Sequence, residues 1–234
     1  MDKNLCARTA QLNISILIPT LNEATILPAQ LLMFEVLAKQ AEVIFCDGGS
    51  KDGSLEMLQA SPFRCAQSEA GRAKQMNTAA QYATADVLLF VHVDSQLSTH
   101  HLQAIERAMS DKSVVGGRFD VRLSGKHPMF RMIERMINLR SRWSKISTGD
   151  QCQFVRRDVF ENMGGFPQQD LMEDIEFSKR LKHLGKVACL HEVVETSSRR
   201  WEKHGVFKTI GLMWRLRFLY WRGVSVERLA KMYR

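Results

Sequence analysis

Three acidic positions in this 234-residue chain stand where side chains could do chemistry. Asp47 opens the run Asp47-Gly48-Gly49-Ser50-Lys51-Asp52-Gly53-Ser54. Its glycines let backbone amides approach a ligand, and its carboxylate can accept hydrogen bonds from a base or a ribose. Asp94 closes His92-Val93-Asp94, which sets two potential ligands for a cation two residues apart at the end of an apolar strand-like run. Glu173-Asp174 precedes Ile175 and Phe177. A carboxylate there could take a proton from a hydroxyl held within hydrogen-bond reach, although on local sequence alone acids at a helix N-terminus are the simpler reading. A fourth segment, Pro19-Thr20-Leu21-Asn22-Glu23, by itself reads as a helix cap at Asn22 with a first-turn acid at Glu23.

The elements that must position these groups alternate. Strand-like Ile14 to Ile18, Val43 to Cys46, Phe63 to Ala66 and Val87 to Val91 are each followed by a helical stretch: Ala24 to Ala38, Leu55 to Leu58, Ala73 to Ala83 and His101 to Met109. This is the signature of βαβ units and an α/β domain with a mostly parallel, Rossmann-like sheet flanked by helices. The runs ending at Cys46 and Val91 are apolar without interruption, as in strands buried on both faces. In such a sheet ligands gather beyond the carboxyl ends of the strands, so Pro19 to Glu23, Asp47 to Ser50 and His92 to Ser95 should converge on one edge. After Val114 the alternation breaks: a Gly116-Gly117 pair enters a strand-like run to Leu123, and a basic amphipathic stretch from Pro128 to Trp143 leads to Thr148-Gly149-Asp150. Asp174 to Leu184 reads as a helix closed by Gly185.

The net charge of +8 invites a nucleic-acid reading, which its placement argues against. Residues 1 to 198 hold 23 basic and 23 acidic side chains, whereas Arg199 to Arg234 hold 10 basic and 2 acidic. The body is neutral and the excess lies in the tail, so no specific nucleic-acid partner is expected. Five scattered cysteines without a CxxC pair, no leader-like apolar stretch and no run of eighteen apolar residues suggest a cytoplasmic protein.

Taken together, PTLNE at Pro19, DGGSKDGS at Asp47, GRAKQMN at Gly71, HVD at His92, GGF at Gly164 and ED at Glu173 make residues 13–204 resemble glycosyltransferase family 2, enzymes of the GT-A fold. The chain is most similar to a subgroup of small bacterial members with LFLHAD-like strands and an SSRRW sequence, here Ser197-Ser198-Arg199-Arg200-Trp201. The resemblance implies a nucleotide-sugar half over 13–110 and an acceptor half over 111–204. Pro19, Thr20, Glu23 and Asp47 would line the base and ribose, Asn22 and Gly48 would belong to the same nucleotide-sugar site, and Arg72 and Lys74 would approach the nucleotide or its phosphates. Asp94 matches the last Asp of the DxD motif, which holds Mn²⁺ or Mg²⁺ on the diphosphate. His92 stands where the family commonly has the first Asp; imidazole can still bind Mn²⁺, and His204 or His191 are further candidates. Asp174, beside Glu173, matches the base that deprotonates the acceptor hydroxyl. Arg199 and Arg200 match a loop closing over the diphosphate, a role suited to forked guanidinium groups. The implied activity is inverting transfer of a sugar to a hydroxyl, with UDP favoured over GDP as the donor nucleotide.

The tail, 205–234, carries a wheel stripe of Phe207, Ile210, Trp214, Phe218 and Trp221 and another of Lys208, Arg215 and Arg222. An amphipathic helix of this kind packs back on its domain or lies on an anionic membrane surface, here the inner face of the plasma membrane. The second outcome would fit a lipid-linked acceptor. The competing reading is a non-catalytic nucleotide-binding or membrane-surface module on the same fold, against which stands the joint presence of Asp47, Asp94 and Asp174. A GxGxxG dinucleotide loop after the first strand is absent.

Overall fold

The apolar runs become the middle of a seven-stranded sheet in the computed structural model, which describes residues 12–233 except the side chain of Arg200. The stretch before Leu12, read above for a leader, lies outside the described residues. Strands β1 (Ile14–Thr20), β2 (Glu42–Asp47), β3 (Arg64–Gln67) and β4 (Val87–Phe90) are parallel, and helices α1 (Leu27–Leu37), α2 (Ser54–Ala60) and α3 (Arg72–Gln81) connect them. Helix α4 (Thr99–Met109) leads to β5 (Val114–Leu123), and α5 (Pro128–Ser144) to β6 (Phe154–Arg156). Then follow α6 (Arg157–Asn162), α7 (Glu173–Leu181) and β7 (Lys186–Thr196). The order across the sheet is β3-β2-β1-β4-β6-β5-β7, with β6 antiparallel to both β4 and β5 while β5 and β7 are parallel. The expected α/β, GT-A-like architecture is present.

Side chains alternate across the pleat, so each central strand feeds two cores. Ile16, Ile18, Val87 and Leu89 pack with Phe34, Phe45 and Ile105 on one face. Leu17, Leu88 and Phe90 pack on the other with Met76, Phe160, Phe166 and Phe177. There Phe166 stacks on Phe177 with ring centroids 4.3 Å apart, which seats α7 on the sheet. Gly117 explains the glycine pair: a Cβ on it would lie 2.4 Å from the Phe154 ring and 2.5 Å from the Ala188 carbonyl, so only glycine lets β5 meet β6 and β7 this closely.

After α8 (Arg199–His204), the tail forms two helices rather than one: α9 (Val206–Trp221) and α10 (Val226–Tyr233). It packs on the domain. Leu216 and Leu229 are buried with Met172 and Ile175, joined by Leu212, Leu219 and Tyr220, so α9 and α10 cover the start of α7. The stripe expected from the helical wheel is not the buried one. Phe207, Trp214, Phe218 and Trp221 face outward, and the packing face is Leu212-Leu216-Leu219. Both faces are apolar, so helical periodicity could not tell them apart.

Candidate active site

The carboxyl ends of β1, β2 and β4 open on one edge of the sheet, as the parallel order requires. Gln75 of α3 clips two of them together: its Nε2 donates to the Thr20 carbonyl at 2.7 Å and the Cys46 carbonyl at 3.0 Å. Asp47 is buried, and its Oδ2 accepts from the Gly49 amide at 2.7 Å and the Ser50 amide at 2.9 Å. Asp47 Oδ1 and Thr20 Oγ1 are buried with no partner among the described residues. Asn22 does not cap a helix, because α1 begins only at Leu27. Instead the Asn22 amide donates to Ser50 Oγ at 2.9 Å and its Oδ1 accepts from Lys51 at 2.8 Å, while the Glu23 amide donates to Ser54 Oγ at 2.8 Å. The PTLNE and DGGS segments are thus one interlocked loop pair.

Beside them lies a cavity of about 1000 Å³. Its wall includes Asn22, Glu23, Arg72, His92, Asp94 and Arg199. Arg199 bridges two strand ends, with Nη2 at 3.3 Å from Glu23 Oε2 and 3.6 Å from Asp94 Oδ2. Burial raises the carboxyl pKa of both acids above the usual range despite the pull of Arg199. Arg72 is exposed, to the cavity rather than to the outer surface. Burial works against its charge, but Tyr233, Glu173, Asp174 and Asp94 around it outweigh that effect and raise its pKa.

Also on the cavity wall, Asp174, in the first turn of α7, accepts the Gly149 amide at Oδ2 (2.8 Å) and the Ile175 amide at Oδ1 (2.7 Å). His92 stands behind Gly149: a Cβ there would lie 2.6 Å from Nε2 of the ring. Burial, with Arg72 nearby, pushes the His92 pKa down to about 3, so the imidazole is neutral. Burial raises Glu173 and Asp174 alike, and for Glu173 the charge of Asp174 adds to the effect.

The sequence-derived residues divide by position. Asn22, Glu23, Arg72, His92, Asp94, Glu173, Asp174 and Arg199 line the cavity, whereas Pro19, Thr20, Asp47 and Gly48 form the strand ends behind it. Lys74 points away, pairing with Glu69 at 2.6 Å. His191 is exposed beside Arg142 and Asp120, outside the cavity, while His204 lines it. Arg200 was also expected here, but its side chain lies outside the described residues. Gly149, Asp150, Arg140, Arg217 and Tyr233 line the cavity without having been singled out. Thr148-Gly149-Asp150 marked the end of the basic stretch, yet nothing in it distinguished an ordinary turn from a wall of the site.

The family model for glycosyl transferase family 2 matches residues 15–164, from β1 to the turn after α6, and so includes Asn22, Glu23, Arg72, His92, Asp94 and Gly149 of the cavity wall but not Asp174 or Arg199. The chain belongs to glycosyl transferase family 2. Solved structures agree on the fold. A mannosyltransferase, PcManGT from Pyrobaculum calidifontis in complex with GDP-Man and Mn²⁺, is 20% identical with a TM-score of 0.62 over 80% of this chain and 57% of its own. S. aureus TarS 1-349 in complex with UDP is 18% identical with a TM-score of 0.61, over 80% of this chain and 60% of its own. The chain thus spans less than two thirds of either neighbour. No curated protein matches it.

In this family member the buried acid at Glu173 should carry a measurable cost. A folded-state pKa raised above the unfolded value of about 4.3 means that ionisation opposes folding. The cost is absent below the unfolded pKa, grows as pH rises through the raised one, and is complete above it. His92, with its pKa lowered, acts in the opposite sense, so the difference between two proteins isolates the carboxyl. Glu173→Gln is expected to melt about 2–4 °C above wild type at pH 8, equivalent to about 1 kcal/mol, with the gap closing by pH 4. A pH-independent gap would show that charge is not the cause.

Proposed function

We propose that the chain transfers a sugar from a nucleoside diphosphate to an acceptor hydroxyl with inversion at the anomeric carbon. The observation that carries this reading is a single cavity whose wall holds both the Glu23–Arg199–Asp94 bridge and Asp174. The base and ribose sit against the interlocked loops, where Asn22 and Glu23 line the cavity in front of the buried Thr20 and Asp47. Arg72 and Arg199 take the phosphate oxygens. Asp174 accepts the proton of the acceptor hydroxyl as that oxygen attacks the anomeric carbon, and the carbon–oxygen bond to the diphosphate breaks in the same displacement. Its raised pKa brings the carboxylate closer in basicity to neutral pH. One displacement forms no sugar–enzyme bond, so configuration inverts.

The residues suit a divalent cation held chiefly by its substrate. No three His, Cys, Asp or Glu side chains cluster among the described residues, but Asp94 offers a carboxylate at the diphosphate end, and hard cations in phosphate sites take one or two carboxylates together with phosphate oxygens. Mn²⁺ or Mg²⁺ bound there would neutralise charge on the leaving diphosphate. His92 is neutral, as a ligand must be, although its Nε2 edge is packed on Gly149. The neighbouring folds with GDP-Man and with UDP keep both nucleotides open, and UDP is the reading carried from the sequence.

No helix among the described residues is long and apolar enough to cross a membrane. The outward Phe207, Trp214, Phe218 and Trp221 with Lys208, Arg215 and Arg222 support contact of the tail with an anionic bilayer surface.

Calorimetric titration with UDP and GDP, each with and without Mn²⁺, tests the donor site. One nucleotide should bind in the presence of metal, and failure of both at millimolar concentration would remove the main support for the proposal. With a competent acceptor, the anomeric coupling constant of the product decides inversion.

A further inference from the structure

Arg140 is the anomaly of the cavity wall. It lies in the second half of α5, where Nε and Nη2 are buried without a hydrogen-bond partner among the described residues. Buried guanidinium nitrogens are ordinarily paired, because leaving them dry and unpartnered is costly. The principal charge acting on it is another cation, Arg217 of α9, followed by Asp150 and Asp174; burial and Arg217 together lower its pKa to about 10. Both arginines line the cavity. This cationic pair is distinct from the diphosphate end, where the charges felt by Asp94 are those of Arg199 and Arg72.

The two helices present the pair in the same way. Ile133 and Ile137 of α5 pack with Val206 and Ile210 of α9, and one heptad beyond Ile133 and Ile210 stand Arg140 and Arg217. Residues four apart share a helix face, so Met132 and Met136 lead along α5 to Arg140, and Ile210 and Met213 lead along α9 to Arg217. All six line the cavity. The slot is therefore apolar along its length and cationic at its inner end, beside Asp174. Met132 and Met136 are 46% and 44% exposed, and Leu139 and Trp143 on α5 and Trp214 and Phe218 on α9 add further exposed apolar surface to the two helices.

The geometry points to an acceptor subsite in which Arg140 and Arg217 grip a phosphate group and the α5–α9 slot takes the hydrocarbon chain of an amphiphilic phosphate ester. The assignment deepens the glycosyltransferase reading and rests on it only for the word acceptor. A forked guanidinium matches phosphate oxygens, and an anion between the two arginines would supply the missing partners and cancel their mutual repulsion.

The test uses the full chain with n-decyl phosphate, held below its micelle concentration, and inorganic phosphate as probes. Calorimetry should show n-decyl phosphate binding at least about 10-fold tighter than inorganic phosphate, since eight or more buried methylenes contribute favourably. Arg140→Gln and Arg217→Gln should each weaken n-decyl phosphate about 10-fold or more. Met136→Glu should weaken it while leaving inorganic phosphate unchanged. Melting curves verify folding; Arg140→Gln removes an unpaired charge and is expected to fold at least as stably as wild type. Equal affinity of both arginine variants for n-decyl phosphate, or no binding by wild type, overturns the subsite. Equal arginine-dependent affinities for the two probes overturn the amphiphile in favour of a soluble phosphorylated acceptor. A parallel titration with UDP and GDP plus Mn²⁺ reports the donor site independently, so loss there with n-decyl phosphate binding retained refutes the glycosyltransferase reading and not the slot.

Discussion

Replacing Asp174 with Asn is expected to lower kcat about 10³-fold while leaving nucleotide affinity within about 2-fold, the range for removal of a general base being about 10²–10⁴. The substitution keeps size and one acceptor oxygen, so the bond from either Gly149 or Ile175 survives. What is lost is the capacity to take the proton. Asp174 takes no part in the Glu23–Arg199–Asp94 bridge, which is why donor binding should not follow the loss of turnover. Initial rates at saturating donor, beside a calorimetric Kd for the nucleotide, separate the two. A parallel fall in affinity would make Asp174 a binding residue, and an undiminished kcat would move the base elsewhere.

The second large effect concerns Asp94. Asp94→Ala should weaken metal-dependent nucleoside diphosphate binding by about 100-fold or more, since even outer partners of a metal site contribute about 10–100-fold. Binding measured without metal should change little. The alanine also leaves Arg199 paired with Glu23 alone at 3.3 Å, so Asp94→Asn serves as the companion: it retains bulk and polarity but not the charge. Both variants losing the Mn²⁺ increment assigns the cation to the carboxylate. If alanine alone loses affinity, the contribution of Asp94 is positional.

Residues 13–110 were readable because their polar residues lie on the punctuation of a regular pattern. Apolar runs of four to seven residues end in polar residues at Thr20, Asp47 and His92, and a parallel sheet brings such ends to one edge. Residues 111–204 lack that regularity. β6 has three residues and runs backwards, too short for a periodicity signal. β7 is an edge strand, mostly half-exposed, with Lys186, His191, Glu192 and Glu195 along it and register shifts against β5, so no alternation announces it. Because β6 enters the sheet from the functional edge, Gly149 reaches the site from the start of a strand, where the rule of carboxyl ends does not look. Arg140 was one of several basic residues on an amphipathic stretch; only the packing of α9 alongside distinguishes it from Arg135 or Arg142, the latter spent on Asp120 at 2.7–2.9 Å. On α9 the wheel found an apolar stripe, but the helix has two, and tertiary packing chose the other.

The bridge made by Arg199 has a consequence for electroneutrality. In the free protein one guanidinium already serves as counter-ion to Glu23 and Asp94. A nucleotide sugar brings two negative charges on its diphosphate and a divalent cation brings two positive ones, so the incoming pair is neutral. On the proposed function, binding would be an exchange of partners: the guanidinium would pass from carboxylates to phosphate oxygens while the cation took up a carboxylate it released. Such a swap needs no large attractive field across the surface, and the even division of 23 basic and 23 acidic side chains over residues 1 to 198 is what an exchange site permits.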